Sequence, residues 1–290
     1  MRTPPSVHAS TLLLLPLRVR LQLTLYYHSQ IQSFLEIAAL RKLTMMLRNG
    51  NVPTVSTKFT KIIHVGHSFG SAQTYAMTAM YPGISDGIVL TGFSMNSSFV
   101  SLFGAGANFV QANLNQPLRF GNAAALAGVE SAVQMLGLTD LLTPIDLTTI
   151  QSLGYVNGYL TNANANSAAY LFLHPGYFDP QLGYYAEMTK QPVTLGELLT
   201  LGSIPTTSTF AGPVLVFTGE NDVPYCGGDC LATGGAASSV IAGVQKAFTD
   251  AKAFQAYVQP KSGHGLTFHY NATAGYQYIQ TWLGANGLAA

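Results

Sequence analysis

Apolar side chains change their period several times along this chain, and the changes mark its elements. Val19, Leu21, Leu23 and Leu25 alternate with Arg20, Gln22 and Thr24, the two-residue period of a half-buried strand. Ile31, Phe34, Leu35 and Ala38 then return at helical spacing, which predicts a helix over 31–47 stopped by Asn49-Gly50. After a short polar linker opened by Val52-Pro53, residues 61–65 (Lys-Ile-Ile-His-Val) form a compact β-branched run, the signature of a buried parallel strand. Residues 71–80, rich in Ala, Met and Tyr, read as a helix with a proline stop at Tyr81-Pro82-Gly83. Residues 87–93 and 214–218 are two more strands of the buried kind. Helix over 236–251, strand over 253–258 and a closing helix over 274–283 containing Trp282 complete the pattern.

Strands alternating with helices imply an α/β fold with a mainly parallel sheet covered by helices on both faces. More than a hundred residues separate the strand at 87–93 from the one at 214–218. That interval carries Gly104-Ala105-Gly106, the low-complexity run 162–166 and many aromatics, among them Tyr155, Tyr159, Tyr170, Phe172, Tyr177, Phe178, Tyr184 and Tyr185. The expected division is an atypical N-terminal segment at 1–30, a core built from 31–93 and 214–290, and a mostly helical lid inserted at 94–213. The lid aromatics serve first as its own packing. Gly104-Ala105-Gly106 lacks the third glycine and the preceding strand of a dinucleotide fingerprint, so a nucleotide role is set aside.

Composition narrows the partners. The 290 residues are 48% hydrophobic and 9% charged with a formal net charge of +1; an average soluble domain carries roughly 25% charged residues. Without runs of Lys or Arg, nothing electrostatic recommends nucleic acid or an acidic membrane, and a neutral small-molecule substrate suits the chain better. No apolar stretch approaches the roughly 20 residues that span a bilayer. Arg2 followed by Leu12 to Leu15 faintly imitates a signal peptide, but Pro16 interrupts it and no small-x-small cleavage site follows. The alternating strand at 19–25 competes with that targeting reading.

Cys226 and Cys230 are the only cysteines. No histidine lies at ligand spacing from them, and a redox pair would be Cys-x-x-Cys, so metal and redox roles are disfavoured. A small disulfide-closed loop and two free thiols remain. The acceptor sequons at Asn96 and Asn271 suggest secretion and favour the disulfide and an extracellular location.

Gly66-His67-Ser68-Phe69-Gly70 matches Gly-x-Ser-x-Gly, in which a sharp strand-to-helix turn projects a serine hydroxyl above a sheet. A β-branched strand precedes the motif and a helix follows it, the context that the turn needs. Ser68 is therefore the candidate nucleophile, with the Phe69 amide and the positive end of the following helix facing a developing oxyanion. Serine needs a base to take its proton and a carboxylate to hold that base in one tautomer. His264, in the loop Ser262-Gly263-His264-Gly265 after the last strand, is the candidate base. His64 lies inside a strand and His67 points away along the turn, so both read as structural; His269, His174, His8 and His28 are placed less favourably still. Asp222 follows the strand at 214–218 by a short turn, at the edge where α/β active sites collect, and completes the order Ser, Asp, His. Glu220 and Asp229 are its rivals.

Residues 61–71 (KIIHVGHSFGS), 218–230 (TGENDVPYCGGDC) and 263–273 (GHGLTFHYNAT) together resemble the α/β-hydrolase superfamily, in an extracellular fungal branch, over roughly Ile31 to the C-terminus. The resemblance implies cleavage of an ester or related acyl bond through an acyl-serine intermediate, no metal or organic cofactor, and a Cys226–Cys230 disulfide bracing the loop that carries Asp222. One departure is expected to matter. The superfamily places several strands and a His-Gly loop before the nucleophile, and that loop donates a second oxyanion amide. Here 67 residues precede Ser68 and the sole His-Gly pair is His264-Gly265. The front of the domain looks shortened, which predicts an open sheet edge and sets an impaired or inactive binding protein beside the hydrolase as a second reading.

Overall fold

The computed structural model describes residues 32–53, 55, 57–121, 123–136 and 154–289. The expected N-terminal segment at 1–30, with its strand at 19–25, its targeting residues and His8 and His28, lies outside them.

Among the described residues, four parallel strands form the main sheet: β1 (Ile63–His67), β2 (Gly87–Thr91), β6 (Val214–Asn221) and β7 (Phe254–Gly263), side by side in that order. Along β2 and β6 successive side chains feed opposite cores, which is why these strands are continuous hydrophobic runs. Ile88, Leu90, Val214 and Val216 pack with Ala72, Tyr75 and Phe248 on one face. Val89, Leu215 and Phe217 pack with Trp282 and Leu288 on the other. Helix α1 (Ser33–Asn49) buries Ile37 against Ala76 and Met77 of α2 (Phe69–Met80), and Gly50, in the left-handed region at φ 69°, ends α1 as its Asn-Gly pair predicts. The closing helix spans Ala272–Ala285.

Three expectations change. First, the strand predicted at 61–65 is β1, two residues later, and it is an edge strand. Ser68 N–H bonds Thr91 O, and Ile62 O accepts from Asp86 N–H, so alternate residues turn their backbone toward β2. The N–H and C=O groups of Ile63, Val65 and His67 then face away from it, no described strand pairs with them, and Val65 is 54% exposed. Second, the helix predicted at 236–251 is a 3-10 segment, Ile241–Ala247, whose buried Ile241, Val244 and Ala247 recur every three residues. Third, the 94–213 interval holds helices, including α3 (Val100–Ala107), α4 (Ala165–Phe172) and α5 (Pro180–Thr189), but also a small antiparallel sheet of β3 (Val110–Gln111), β4 (Tyr159–Thr161) and β5 (Val193–Thr194). Strands of two or three residues are too short to show a period.

Candidate active site

The parallel sheet sets the site by its direction. Ser68 follows β1, Asp222 follows β6 and His264 follows β7, so all three emerge at the carboxyl edge. Ser68 has φ 55° and ψ −120°, a strained combination for a residue with a side chain. The strain is held by Ser68 N–H on Thr91 O at 2.8 Å and by Ser68 O accepting the Ser71 and Ala72 amides. Gly66 is required for space, since a Cβ there would lie 2.4 Å from Gly70 O. The Phe69 amide is the first N–H of α2, one of the four that a helix leaves unpaired, and no described group accepts from it.

Asp222 is fully buried and acts twice. As N-cap of the short helix Val223–Cys226, it accepts the Tyr225 amide on Oδ1 at 2.9 Å. Its Oδ2 accepts the Thr218 hydroxyl at 2.5 Å and Nδ1–H of His264 at 2.8 Å. Burial alone pushes this carboxyl up; the His264 charge and hydrogen bond, the Thr218 hydroxyl and the Tyr225 amide outweigh it and hold the carboxyl below the usual range. Bonded at Nδ1, His264 presents Nε2 as its basic atom. The rival carboxylates face elsewhere: Glu220 accepts the Lys261 amide at 3.2 Å and Asp229 accepts the Leu231 amide at 2.9 Å.

His264 is 2% exposed, and among the described residues its buried Nε2 has no hydrogen-bond partner. The ring of Tyr225 lies over His264 at 5.7 Å and 20°. Among the described residues no hydrogen bond joins Ser68 to His264. Phe172 of α4 closes on the imidazole at 5.5 Å, and Gly265 N–H bonds Phe172 O at 2.7 Å. His67 does not point away along the turn: its ring sits 4.8 Å from His264 while its Nδ1 meets Thr91 Oγ1 at 2.9 Å. The strand's pleat sends residue 67 to the face opposite His64, toward the β7 loop.

Sequence reasoning passed over Thr218, Tyr225 and His269. His269 brackets the β7 loop: its Nε2 accepts the amides of Gly263 and His174, both at 2.9 Å, and its Nδ1 donates to Gly265 O at 3.0 Å. The signal for Tyr225 was Asp222-Val223-Pro224, an N-cap followed by a proline in the first turn, which places residue 225 where the cap's acceptor reaches its amide.

Cys226 and Cys230 form a disulfide, closing the loop after Asp222. Asn96 is exposed, whereas Asn271 donates through Nδ2 to Pro260 O at 2.8 Å and accepts from Ser262 Oγ at 2.8 Å. Two hollows stand nearby. One of about 420 Å³ borders the acid loop between Tyr170, Leu173 and Val223, and one of about 760 Å³ lies along α5 beside Leu182, Tyr185 and Met188. Neither is lined by Ser68 or His264. No helix among the described residues is long and apolar enough to cross a membrane.

A mainly parallel sheet with these side chains at its carboxyl edge defines an α/β-hydrolase fold, and solved structures agree. The chain is similar to a monoacylglycerol lipase from Paleococcus ferrophilus, with a TM-score of 0.50 at 10% identity over 89% of this chain and 77% of that one. It is equally similar to tomato methylketone synthase I complexed with 2-tridecanone, with a TM-score of 0.50 at 12% identity over 89% and 81%. At such identities the likeness establishes the fold. No family model matches the sequence, and no curated protein matches it.

Proposed function

We propose that the protein is a serine hydrolase that splits an ester or related acyl bond of a neutral, fairly apolar small molecule. The observation that carries this reading is the buried Asp222–His264 hydrogen bond of 2.8 Å, which leaves Nε2 as the basic atom of an imidazole at the same carboxyl edge as a serine held at φ 55° on a strand-to-helix turn. In the reaction, Ser68 Oγ gives its proton to Nε2 and attacks the acyl carbon. The carbonyl π pair moves to oxygen, where the Phe69 amide donates to it. The tetrahedral species collapses, the leaving alkoxide takes the proton from His264, and the acyl group stays on Ser68. Water repeats the sequence and frees the acid. Asp222 keeps Nδ1 protonated and balances the imidazolium, and the chain's own side chains suffice without a cofactor. Residues 94–213 act as a lid that brings Phe172 over the base, and the disulfide fits an oxidising, extracellular setting.

A fluorophosphonate probe tests the reading. Labelling of Ser68 in the folded protein, abolished by Ser68→Ala and reduced at least a thousandfold by His264→Ala, is the expected result; a folded protein that leaves the probe unreacted overturns it. The second reading, an impaired hydrolase-fold binding protein, draws on the absence of a Ser68–His264 hydrogen bond and on the edge of β1 that no described strand covers. It predicts ligand binding with no turnover of short acyl esters.

A further inference from the structure

β1 leads into the candidate nucleophile, yet its outer edge is bare: the N–H and C=O groups of Ile63, Val65 and His67 turn away from β2 and meet no described strand. The helix ahead of β1 shows from where the chain arrives. Arg48, in the last turn of α1, donates to Thr60 O, Ile84 O and the Asp86 carboxylate, all just ahead of β1 or β2, so α1 ends at the amino edge of the sheet. Near its other end Glu36 accepts from Gln73, in the first turns of α2, which starts at the carboxyl edge. The 17 residues of α1 rise about 25 Å between these edges. α1 thus runs antiparallel to β1, as the helix of a strand–helix–strand unit does, and the chain enters Ser33 from the carboxyl edge, where Thr200 Oγ1 accepts the Ser33 amide at 3.0 Å. Both helices lie on one face. Thr44 of α1 meets His64 Nε2 at 2.9 Å, His64 stands in register with Ile88, and Ile88 packs with Ala72 and Tyr75 of α2.

We propose that residues 19–25 of the same chain are the strand that covers this edge, running parallel to β1. Handedness selects the edge. The step from β1 through α2 to β2 crosses this face in one direction, and a strand–α1–β1 unit of the same hand on the same face steps in the same direction. The earlier strand then falls on the side of β1 opposite β2, which is the bare one. The sequence supplies a strand at the right distance. Val19, Leu21, Leu23 and Leu25 alternate with Arg20, Gln22 and Thr24, and residues 26–32 are left to turn into α1, about the length of a strand-to-helix loop. α1 also wants such cover, because Leu40, Leu43 and Leu47, around the Thr44 contact with β1, are only half-buried. The pairing satisfies the outward backbone of β1 and removes an open edge from the strand that carries Ser68. It holds whether or not Ser68 is catalytic.

Amide hydrogen exchange of the full chain reads the pairing. The amides of Ile63, Val65 and His67 exchange about a hundredfold or more slower than in free peptide when the edge is covered, and those of His64 and Gly66, which face β2, serve as internal controls. Free exchange at the three outward positions with protection at the two inward ones overturns the proposal. In the double variant Leu21→Asp, Leu23→Asp the three outward amides lose their protection while the two inward ones keep it. Outward protection that survives both changes overturns the proposal, and a dimer in sedimentation would then give the edge to a second copy of the chain. If the double variant unfolds and loses all protection, Val65→p-benzoylphenylalanine decides: on illumination the monomer cross-links to residues 19–25 of its own chain, and a cross-link elsewhere, or none, overturns the pairing.

Discussion

Replacing His64 by glutamine should flatten the acid side of the protein's stability curve. The wild-type ring is buried on β1 between Thr44 Oγ1, 2.9 Å from Nε2, and Ser85 Oγ, 2.8 Å from Nδ1. Each hydroxyl has a second acceptor, Leu40 O for Thr44 at 2.9 Å and Gly87 O for Ser85 at 2.8 Å, and it is burial that keeps the imidazole neutral. Burial first and the Arg48 charge second, partly offset by Asp86, lower the ring from 6.5 to about 4. The sign follows directly. Between those values the unfolded chain binds a proton that the folded chain refuses, so stability is complete above pH 6.5 and is lost as the pH falls toward 4. At pH 5 the unfolded ring is almost fully charged and the folded ring about one-tenth charged, which works out to about 2 kcal/mol lost, and on the order of 3 kcal/mol below pH 4. Glutamine offers an amide donor and acceptor to the same two hydroxyls but does not titrate. Urea unfolding at pH 8 and pH 5 measures the effect, since every other ionising group contributes equally to both proteins. The wild type should lose about 2 kcal/mol more than His64→Gln over that interval; equal losses would refute a neutral, buried His64.

Thr218→Val keeps the shape of a fully buried side chain and removes one donor from Asp222, so it should cost about 1.5–3 kcal/mol at pH 7. Because this carboxyl is held below its usual range, the cost should shrink as the pH falls and the group is protonated, which urea unfolding at two pH values checks. Gly66→Ala drives a methyl group to 2.4 Å from a backbone oxygen and should abolish both folding and probe labelling, whereas Gly70→Ala meets nothing within 4 Å and should raise the melting temperature by its better helix propensity, read by calorimetry. Glu36, on α1, bonds Gln73 and faces Glu197; burial first, then the Glu197 hydrogen bond and charge, push it from 4.5 up to about 8. The folded chain keeps this proton while the unfolded chain releases it, so stability falls as the pH rises from 4.5 to 8, and melting curves of Glu36→Gln should lack that fall.

Much of this protein was legible in residue order, for local reasons. Strands buried on both faces must be apolar throughout, so β2 and β6 stand out. A serine on a strand-to-helix turn needs Gly66, so its motif is contiguous, and Asp222 follows a buried strand by a short turn at the edge where α/β active sites collect, so it could be singled out. The order Ser, Asp, His follows because each residue ends a different strand of one parallel sheet. Contacts made across chain separation were not legible. Nothing near Thr218 in sequence says that its hydroxyl reaches Asp222, nothing near Tyr225 says that its ring lies over His264, and His269 joins the β7 loop to residue 174, 95 positions away. The exposure of Val65 is likewise a property of its neighbours, since a β-branched run is apolar whether one strand or two flank it. Composition and period fix which faces must be buried; only packing decides which polar groups, brought together by that burial, bond one another, and here it gathered Thr218, Tyr225 N–H and His264 on Asp222.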